Sequence, residues 1–223
     1  MTTRARLIET RIPARAEGVV VVLHGGASRR GDVQVSPTQL SVLRMISVAQ
    51  RIAAAGRGRL AVLRLLNSTR GWDNRHTPVD DVIWALGRLT ERWPQPVCLV
   101  GHSLGGRAAL LAGGRPEVRS VVALNPWVYP ADGMVDLSGR QVLIVHGSED
   151  RIAKPETSAT AARSLARTGQ VGYVSVPGAK HSMLRRGQVF DRLAADFAVA
   201  TLLDEPVSGP VAQVLDGTAW VEV

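Results

Sequence analysis

Residues 97–106 read VCLVGHSLGG, an apolar run that passes directly into a Gly-x-Ser-x-Gly motif. The apolar run predicts a buried strand, and the residues from Leu104 to about Leu111 predict a helix. The serine of such a motif lies on a sharp strand-to-helix turn, where its hydroxyl projects above the sheet and small flanking residues let the backbone bend. We therefore expect Ser103 to lie at a tight turn, as a nucleophile would. The alternative is a turn in which Ser103 only caps the helix.

The same alternation of apolar runs and helical patterns continues on both sides of this motif. Further central strands are predicted at 18–23, 59–66, 120–124, 141–146 and 171–176, and an edge strand at 5–12. Helices are predicted at 37–55, 78–92, 155–168 and 187–203. Strands that are apolar on both faces are typical of a parallel sheet covered by helices. The predicted fold class is therefore α/β, with a mostly parallel central sheet and helices on both of its faces.

The chain of 223 residues predicts one domain of ordinary size followed by a short C-terminal tail. Residues 1–204 carry the α/β pattern. In the tail, residues 205–223, the Pro and Gly residues argue against a helix, and Asp216-Gly217 is a common hairpin turn. The tail is therefore predicted to form a small hairpin of residues 211–215 and 219–223.

Composition and charge argue against several other classes of function. The net charge is +8, but the positive residues are almost all arginines scattered along the chain, so we expect no nucleic-acid partner. The single cysteine, Cys98, excludes an intramolecular disulfide. The charged N-terminus is unlike a signal peptide, and no stretch approaches the ~18 apolar residues of a membrane span, so a cytoplasmic location is expected. Neither metal-ligand spacing nor a phosphate-binding loop motif is found, so we expect no metal and no cofactor.

Four short motifs occur along the chain. They are LHGG at 23–26, GHSLGG at 101–106, HGSED at 146–150 and AKHS at 179–182. With these motifs, in this order, the sequence resembles the α/β-hydrolase family over roughly residues 5–203. The resemblance implies a serine hydrolase in which Ser103 is the nucleophile, His181 is the base and Asp150 is the carboxylate that orients the base.

The chemistry of a serine nucleophile explains why these partners are needed. A serine hydroxyl needs a base within hydrogen-bond reach, and the histidine needs a carboxylate to hold its tautomer. Glu149 competes with Asp150 for the role of the acid. In a known variation of the family the acid follows the preceding strand. The sequence there reads Asn125-Pro126 and offers no carboxylate, so this variation is not expected. Three further histidines end strands beside glycine turns and are expected to make structural contacts: His24, His102 and His146.

The resemblance also implies an oxyanion hole, whose donors stabilise the negative charge of a tetrahedral intermediate. One donor is expected to be the backbone N–H of Leu104, directly after the nucleophile. The other is expected in the loop after the first central strand, at Gly26 or Ala27, and the sequence does not separate these two.

The segment between the strands at 120–124 and 141–146 is too short for a helical cap domain. We therefore expect an open site. The dienelactone hydrolase group has a similar lidless core, and the chain resembles it in part, with Ser103 where that group carries cysteine.

Four residues are candidates for substrate contacts. Trp127 and Tyr129 follow the strand at 120–124 and either line the acyl pocket or pack under their loop. Arg29 and Arg75 are candidates to bind a carboxylate or phosphate of the substrate, and each lies in a loop with a further arginine that could do the same, Arg30 and Arg70 respectively.

The function predicted from these features is that of a carboxylesterase-like serine hydrolase, which cleaves small or accessible esters through an acyl-enzyme. A thioesterase, a small amidase or peptidase, and a non-catalytic binding protein of the same fold are the alternatives. The predicted partner is a small-molecule ester or thioester.

Overall fold

The computed structural model describes residues 5–26 and 34–223, which form one eight-stranded sheet flanked by helices. The strands are β1 (Arg6–Arg11), β2 (Gly18–Leu23), β3 (Leu60–Leu66), β4 (Val97–His102), β5 (Val118–Leu124), β6 (Gln141–Gly147), β7 (Gln170–Val176) and β8 (Trp220–Glu222). The helices are α1 (Leu40–Ala55), α2 (Thr77–Thr90), α3 (Leu104–Ala112), α4 (Pro155–Leu165), α5 (Gly187–Leu203) and α6 (Pro210–Leu215). A 3-10 helix spans Pro130–Met134.

The sheet has the strand order β1-β3-β2-β4-β5-β6-β7-β8. The edge strand β1 pairs with β3 in the antiparallel sense, and all other neighbours are parallel. The predicted mostly parallel sheet is therefore confirmed. Since β4, β5, β6 and β7 are consecutive neighbours, the loops after their carboxyl ends lie side by side, and in an open α/β sheet this is where ligands bind.

The core has two halves, one on each face of the sheet, because successive side chains of a strand point to opposite faces. In β2, Val19, Val21 and Leu23 pack on one side with α2, α3 and α4. Val20 and Val22 pack on the other side with α1, α5 and α6. Because side chains alternate across a strand, a sheet covered on both faces needs apolar residues at every position of its central strands.

The tail differs from its predicted hairpin, which is wrong. Residues 210–215 form α6, and β8 pairs in parallel with β7 instead of folding back on its own neighbour. Pro210 is the first residue of the helix, where its missing N–H costs nothing. A side chain at Gly172 of β7 would overlap Val214, so this glycine makes room for α6 to pack on the sheet. Asp216-Gly217 ends the helix, with Gly217 at φ 99°.

The connection between β5 and β6 holds only the 3-10 helix. The expected absence of a large cap domain is therefore confirmed. The carboxyl ends of the central strands are left accessible from the loop side.

Candidate active site

Ser103 lies on a strained turn between β4 and α3. Its backbone has φ 56° and ψ −118°, a combination that L residues rarely adopt. A side chain at Gly101 would overlap the backbone of Gly105, and one at Gly105 would come within 2.6 Å of the carbonyl oxygens of Leu23 and His24. The spacing of the two glycines therefore follows from how closely the turn, its own helix and β2 approach each other.

His181 and Asp150 meet Ser103 in a line of hydrogen bonds. His181 lies in the loop after β7, with its Nε2 3.0 Å from Oγ of Ser103 and its Nδ1 2.7 Å from Oδ2 of Asp150. A carboxylate only accepts hydrogen bonds, so Nδ1 carries the imidazole proton and Nε2 is left to accept the serine hydroxyl. The three sequence-predicted residues are therefore brought together with the base in the tautomer that can take a proton from serine. Glu149 is exposed on the surface.

Asp150 is held as a buried carboxylate. Its Oδ1 accepts the backbone N–H groups of Ile152 and Ala153 at 2.8 and 2.9 Å. Its Oδ2, besides His181, lies 3.3 Å from Nε2 of His146. Burial by itself would raise the pKa of Asp150, but the hydrogen bonds from His146 and His181 outweigh it and leave the pKa below its ordinary value.

Two buried side chains hold the main chain of His181. His102 donates from Nε2 to the carbonyl oxygen of His181 at 2.8 Å, and Asn125 donates from Nδ2 to the same oxygen at 3.1 Å. Oδ1 of Asn125 accepts the N–H of Gly147, so one side chain joins the loops after β6 and β7. Burial and the neighbouring His181 lower the pKa of His102 to about 3, which keeps its ring neutral. Sequence reasoning treated Asn125 only as a place where an alternative acid was missing, although an Asn at a strand end before Pro is a signal of its own.

The second histidine on Asp150 belongs to a buried polar chain. Nε2 of His146 donates to the carbonyl oxygen of Ala153 at 2.9 Å, which leaves Nδ1 to accept the hydroxyl of Ser158 at 2.7 Å. The hydroxyl of Tyr173 lies 3.2 Å from Oγ of Ser158. His146 was expected to make structural contacts, and the structure adds that it shares the carboxylate oxygen that holds His181.

The loop after β2 is held in place by His24. Nδ1 of this buried histidine donates to the carbonyl oxygen of Gly25 at 2.7 Å, and Nε2 accepts the backbone N–H of Asn67 at 3.1 Å. A side chain at Gly26 would overlap the carbonyl oxygen of Arg70, so the loop runs close against the segment after β3. Gly26 and the first residue of α3, Leu104, are the two predicted oxyanion donors that the structure describes. Ala27, the other candidate, lies outside the described residues.

A cavity of about 850 Å³ opens beside Ser103. The segment before α1 and the loop after β3 contribute polar residues to its lining, and its large apolar residues are Leu40, Trp127 and Ile152. The lining residues are Gly25, Gly26, Gln34, Ser36, Thr38, Gln39, Leu40, Ser41, Arg70, His102, Ser103, Trp127, Ile152 and His181. Pro37 lies in a turn of the segment before α1 instead of opening the helix as its position in the sequence suggests.

The four predicted substrate contacts have different positions. Trp127 lines the cavity, whereas Tyr129 is not among its lining residues and lies over the guanidinium of Arg107, 4.6 Å from the ring centre. Arg75 is exposed on the loop after β3 and does not line the cavity either. Arg29 lies outside the described residues. Arg70, which belongs to the same candidate loop as Arg75, is the arginine among the described residues that lines the cavity.

Tyr129 is part of an aromatic and ionic cluster behind the site. Arg107 of α3 forms a buried two-point ion pair with Asp132, at 2.7 and 3.0 Å, and its guanidinium lies 4.1 Å from the ring centre of Trp72. Such a bidentate pair fixes both partners in one geometry. The cluster therefore ties the helix of Ser103 to the loops after β3 and β5.

The described residues contain neither a candidate metal site nor a helix that could span a membrane. In residues 5–26 and 34–223, no group of three or more His, Cys, Asp or Glu side chains is arranged to hold a metal ion. No helix in these residues has the length and apolar character needed to cross a membrane.

Comparisons with known proteins give matches in structure only. No protein-family model matches the chain, and no curated protein matches its sequence. The structure is similar to that of an α/β serine hydrolase homologue from Coxiella burnetii, with 17% identity, a TM-score of 0.68, and 87% of this chain and 93% of the other covered. An α/β serine hydrolase without a lid from Xanthomonas campestris has 19% identity and a TM-score of 0.62, with 92% and 90% covered.

A third similar structure is Est1E from Butyrivibrio proteoclasticus with ferulic acid bound. It has 15% identity and a TM-score of 0.65, and 90% of this chain and 95% of the other are covered. At such identities a structural match shows the fold and not the activity. The chain has the α/β-hydrolase fold, in a form without a large cap domain.

Proposed function

We propose that the protein is a serine hydrolase that cleaves carboxylic esters through an acyl-enzyme. The observation that carries the proposal is the continuous line of hydrogen bonds from Asp150 through His181 to Ser103, at 2.7 and 3.0 Å. Three side chains from three separate loops form this line at the mouth of a cavity. A serine that only capped a helix would need no such partners, and its hydroxyl makes no cap hydrogen bond to α3.

In the proposed reaction, Oγ of Ser103 attacks the ester carbonyl carbon while its proton moves to Nε2 of His181. The tetrahedral intermediate then collapses, the bond to the alcohol oxygen breaks, and the His181 imidazolium gives its proton to the leaving alcohol. Water repeats the two steps on the acyl-enzyme and releases the acid and free Ser103. Asp150 stays ionised and stabilises the imidazolium, in keeping with its lowered pKa.

The proposed oxyanion hole has one donor at the backbone N–H of Leu104 and a second at Gly26 or Ala27. Leu104 is the first residue of α3, so its N–H belongs to the free N-terminal donors of a helix. Gly26 lines the cavity beside Ser103, in a loop that His24 holds through hydrogen bonds of both its ring nitrogens. Donors that are already fixed in place stabilise the developing charge without having to reorganise during the reaction.

The shape of the site supports esters of small or accessible compounds. The connection between β5 and β6 carries no cap, and the cavity of about 850 Å³ opens to the surface. Trp127 lies at one side of the cavity, where it is proposed to contact the acyl group. A neighbour of similar fold is an esterase named with ferulic acid bound, which supports ester chemistry on this scaffold without identifying the substrate.

The test is hydrolysis of 4-nitrophenyl acetate, butyrate and octanoate by the wild type and by Ser103→Ala. We expect activity in the wild type and a loss of about 10³-fold or more in the variant, the scale seen when a triad nucleophile is removed. Ser138→Ala, at an exposed turn before β6, is the matched control and should keep wild-type activity. Covalent labelling by a fluorophosphonate should require Ser103. Activity that survives Ser103→Ala, or its absence from all three esters, would contradict the proposal.

A further inference from the structure

Among the described residues that line the cavity beside Ser103, one has a fixed positive charge and none is acidic. The positive residue is Arg70, in the loop after β3. Its Nε is buried and has no hydrogen-bond partner in the described part of the chain. A buried N–H without an acceptor is costly, because it has lost its hydrogen bond to water and gained none in return.

Two other arginines with little exposed side chain, Arg107 and Arg44, have carboxylate partners. Arg107 has a buried two-point ion pair with Asp132, and Arg44 binds Asp191 at 2.8 Å. No carboxylate of the described residues lies within ion-pair distance of Arg70. Arg70 differs from these two in having no acid partner, although an unpartnered Nε is not unique to it, since Nε of Arg44 and Nε of Arg140 are also buried without partners.

The position of Arg70 is fixed relative to the reacting serine. Its carbonyl oxygen lies so close to Gly26 that a side chain there would overlap it. The same loop is tied down by Asp81, whose carboxylate accepts the N–H and the hydroxyl of Ser68 at 2.8 and 2.7 Å. Arg70 is therefore anchored beside the loop that carries a proposed oxyanion donor.

The segment of residues 34–41, which lines the same cavity as Arg70, also has polar groups, one of them without a hydrogen-bond partner. Gln39 lines the cavity, and its Oε1 is buried without a partner in the described residues. The hydroxyls of Ser36 and Thr38, which line the same cavity, bond to each other at 2.8 Å. A segment of this kind suits a polar group of the substrate better than an alkyl chain.

We propose that Arg70 binds a carboxylate that the substrate carries in addition to its scissile ester. Preferred substrates are then monoesters of dicarboxylic acids or acyl esters of hydroxy acids. A guanidinium binds a carboxylate through two parallel hydrogen bonds, one of which can give Nε of Arg70 the acceptor that the described residues do not supply. The inference rests on the proposed esterase function and adds a substrate class to it.

The kinetic test uses two matched pairs of esters, so that the carboxylate is offered on either side of the scissile bond. One pair is 3-acetoxybenzoate and its methyl ester, and the other is monomethyl and dimethyl adipate. The wild type should prefer the anionic member of at least one pair. In Arg70→Gln the ratio of kcat/KM for the anionic over the neutral ester should fall by about 10–100-fold, as expected when hydrogen bonds to a charged group are lost.

Arg75→Gln is the matched control, because Arg75 is an exposed arginine of the same loop that does not line the cavity. It should keep the wild-type ratio, and Arg70→Lys should keep only part of it, because lysine retains the charge but not the two-point geometry. The inference is overturned if the wild type shows no preference for either anion, if Arg70→Gln leaves the ratio unchanged, or if the preference disappears in Arg75→Gln instead.

A second measurement does not depend on catalysis. Calorimetric titration of Ser103→Ala with 3-acetoxybenzoate and with monomethyl adipate should show binding of at least one of the two. The binding should disappear when Arg70→Gln is added. If the protein fails to hydrolyse esters but binds an anion through Arg70, the proposed function is wrong and the anion site stands. If esters are hydrolysed through Ser103 and neither anion binds, the function stands and the anion site is wrong.

Discussion

The two sides of the cavity differ in how completely their polar groups are bonded. On the side formed by the loops after β6 and β7, both carboxylate oxygens of Asp150 have partners, and both ring nitrogens of His181 and of His146 are bonded. On the side formed by residues 34–41 and the loop after β3, Oε1 of Gln39 and Nε of Arg70 are buried without partners in the described residues. One exception on the first side is Nδ1 of His102, which also has none.

The difference indicates that the two sides of the cavity have different roles. Groups that move protons work best when their positions and tautomers are fixed before the substrate arrives, and a complete set of hydrogen bonds fixes them. Buried polar groups left unbonded are rare in folded proteins, and those that line a cavity can obtain their missing partners from a ligand. We infer that the first side performs the chemistry and that the second side is completed by the substrate.

The largest effect on activity should come from removing the charge of Asp150. Asp150→Asn keeps the shape of the side chain but removes the charge and permits the wrong tautomer of His181, so kcat should fall by about 10³–10⁴-fold. Ester hydrolysis at saturating substrate measures it.

Glu149→Gln is the control for this prediction, since Glu149 was the competing carboxylate in the sequence and is exposed in the structure. It should leave kcat close to the wild-type value. If Glu149→Gln were the more damaging of the two, the assignment of the acid would be reversed.

Removing one polar side chain from each side of the cavity tests whether the two sides contribute differently to stability. His146→Leu takes a partner from both Asp150 and Ser158, and should lower the free energy of unfolding by about 2–3 kcal/mol, because two buried groups lose a hydrogen bond. Gln39→Leu removes a buried acceptor that has no partner together with a part-buried hydrogen bond from Nε2 to Ser41, and should change the free energy of unfolding by only about 1 kcal/mol. Urea unfolding of both variants beside the wild type measures the difference.

His146→Gln extends this pair of variants, since its amide can still donate a hydrogen bond toward Asp150. It should recover part of the stability lost in His146→Leu. Equal destabilisation by His146→Leu and Gln39→Leu would show that the two sides do not differ in the way the bonding suggests.

A smaller effect should appear in the pH dependence of stability. Burial lowers the pKa of His102 to about 3 in the folded protein, from an ordinary value of 6.5 in the unfolded chain. Between these two values the unfolded chain binds a proton that the folded protein does not, so the stabilisation is complete above pH 6.5 and is lost as the pH falls toward 3. At about pH 5 this one group should cost about 2 kcal/mol. The lowered pKa of buried His24 acts in the same direction.

His102→Gln tests this dependence, because glutamine can keep a hydrogen bond to the carbonyl oxygen of His181 without titrating. Between about pH 8 and pH 5 the wild type should lose about 2 kcal/mol more stability in urea unfolding than the variant does. Parallel losses in the two proteins would rule out His102 as a source of the pH dependence.

Much of the fold and part of the candidate site were accessible from local sequence patterns. The turn at Ser103 could be predicted because its glycines and its flanking strand and helix are adjacent in sequence. The central strands could be predicted because burial on both faces requires an unbroken apolar run, as in β2. The positions of His181 and Asp150 came from the resemblance to a known family and not from any local pattern.

The features that sequence reasoning missed are contacts between distant parts of the chain. Asn125 holds the carbonyl of His181, and although its position at a strand end before Pro is unusual, only the tertiary structure shows that its side chain bridges two loops. Arg75 and Arg70 stand in the same loop and are equivalent by composition, and only the approach of that loop to Gly26 separates them. The tail was assigned to a hairpin because Asp-Gly is a common turn, whereas Gly172 in β7 leaves room for Val214 and so favours a helix there.

The sequence by itself determined the fold class, the strand–turn–helix at Ser103 and the order of the motifs, because these depend on side-chain periodicity and on steric limits within a few residues. Only the tertiary structure decided which polar groups share a hydrogen bond, which arginine lines the cavity and how the tail joins the sheet. Those outcomes depend on distances between segments that are far apart in the chain, which are set by how the strands and helices pack.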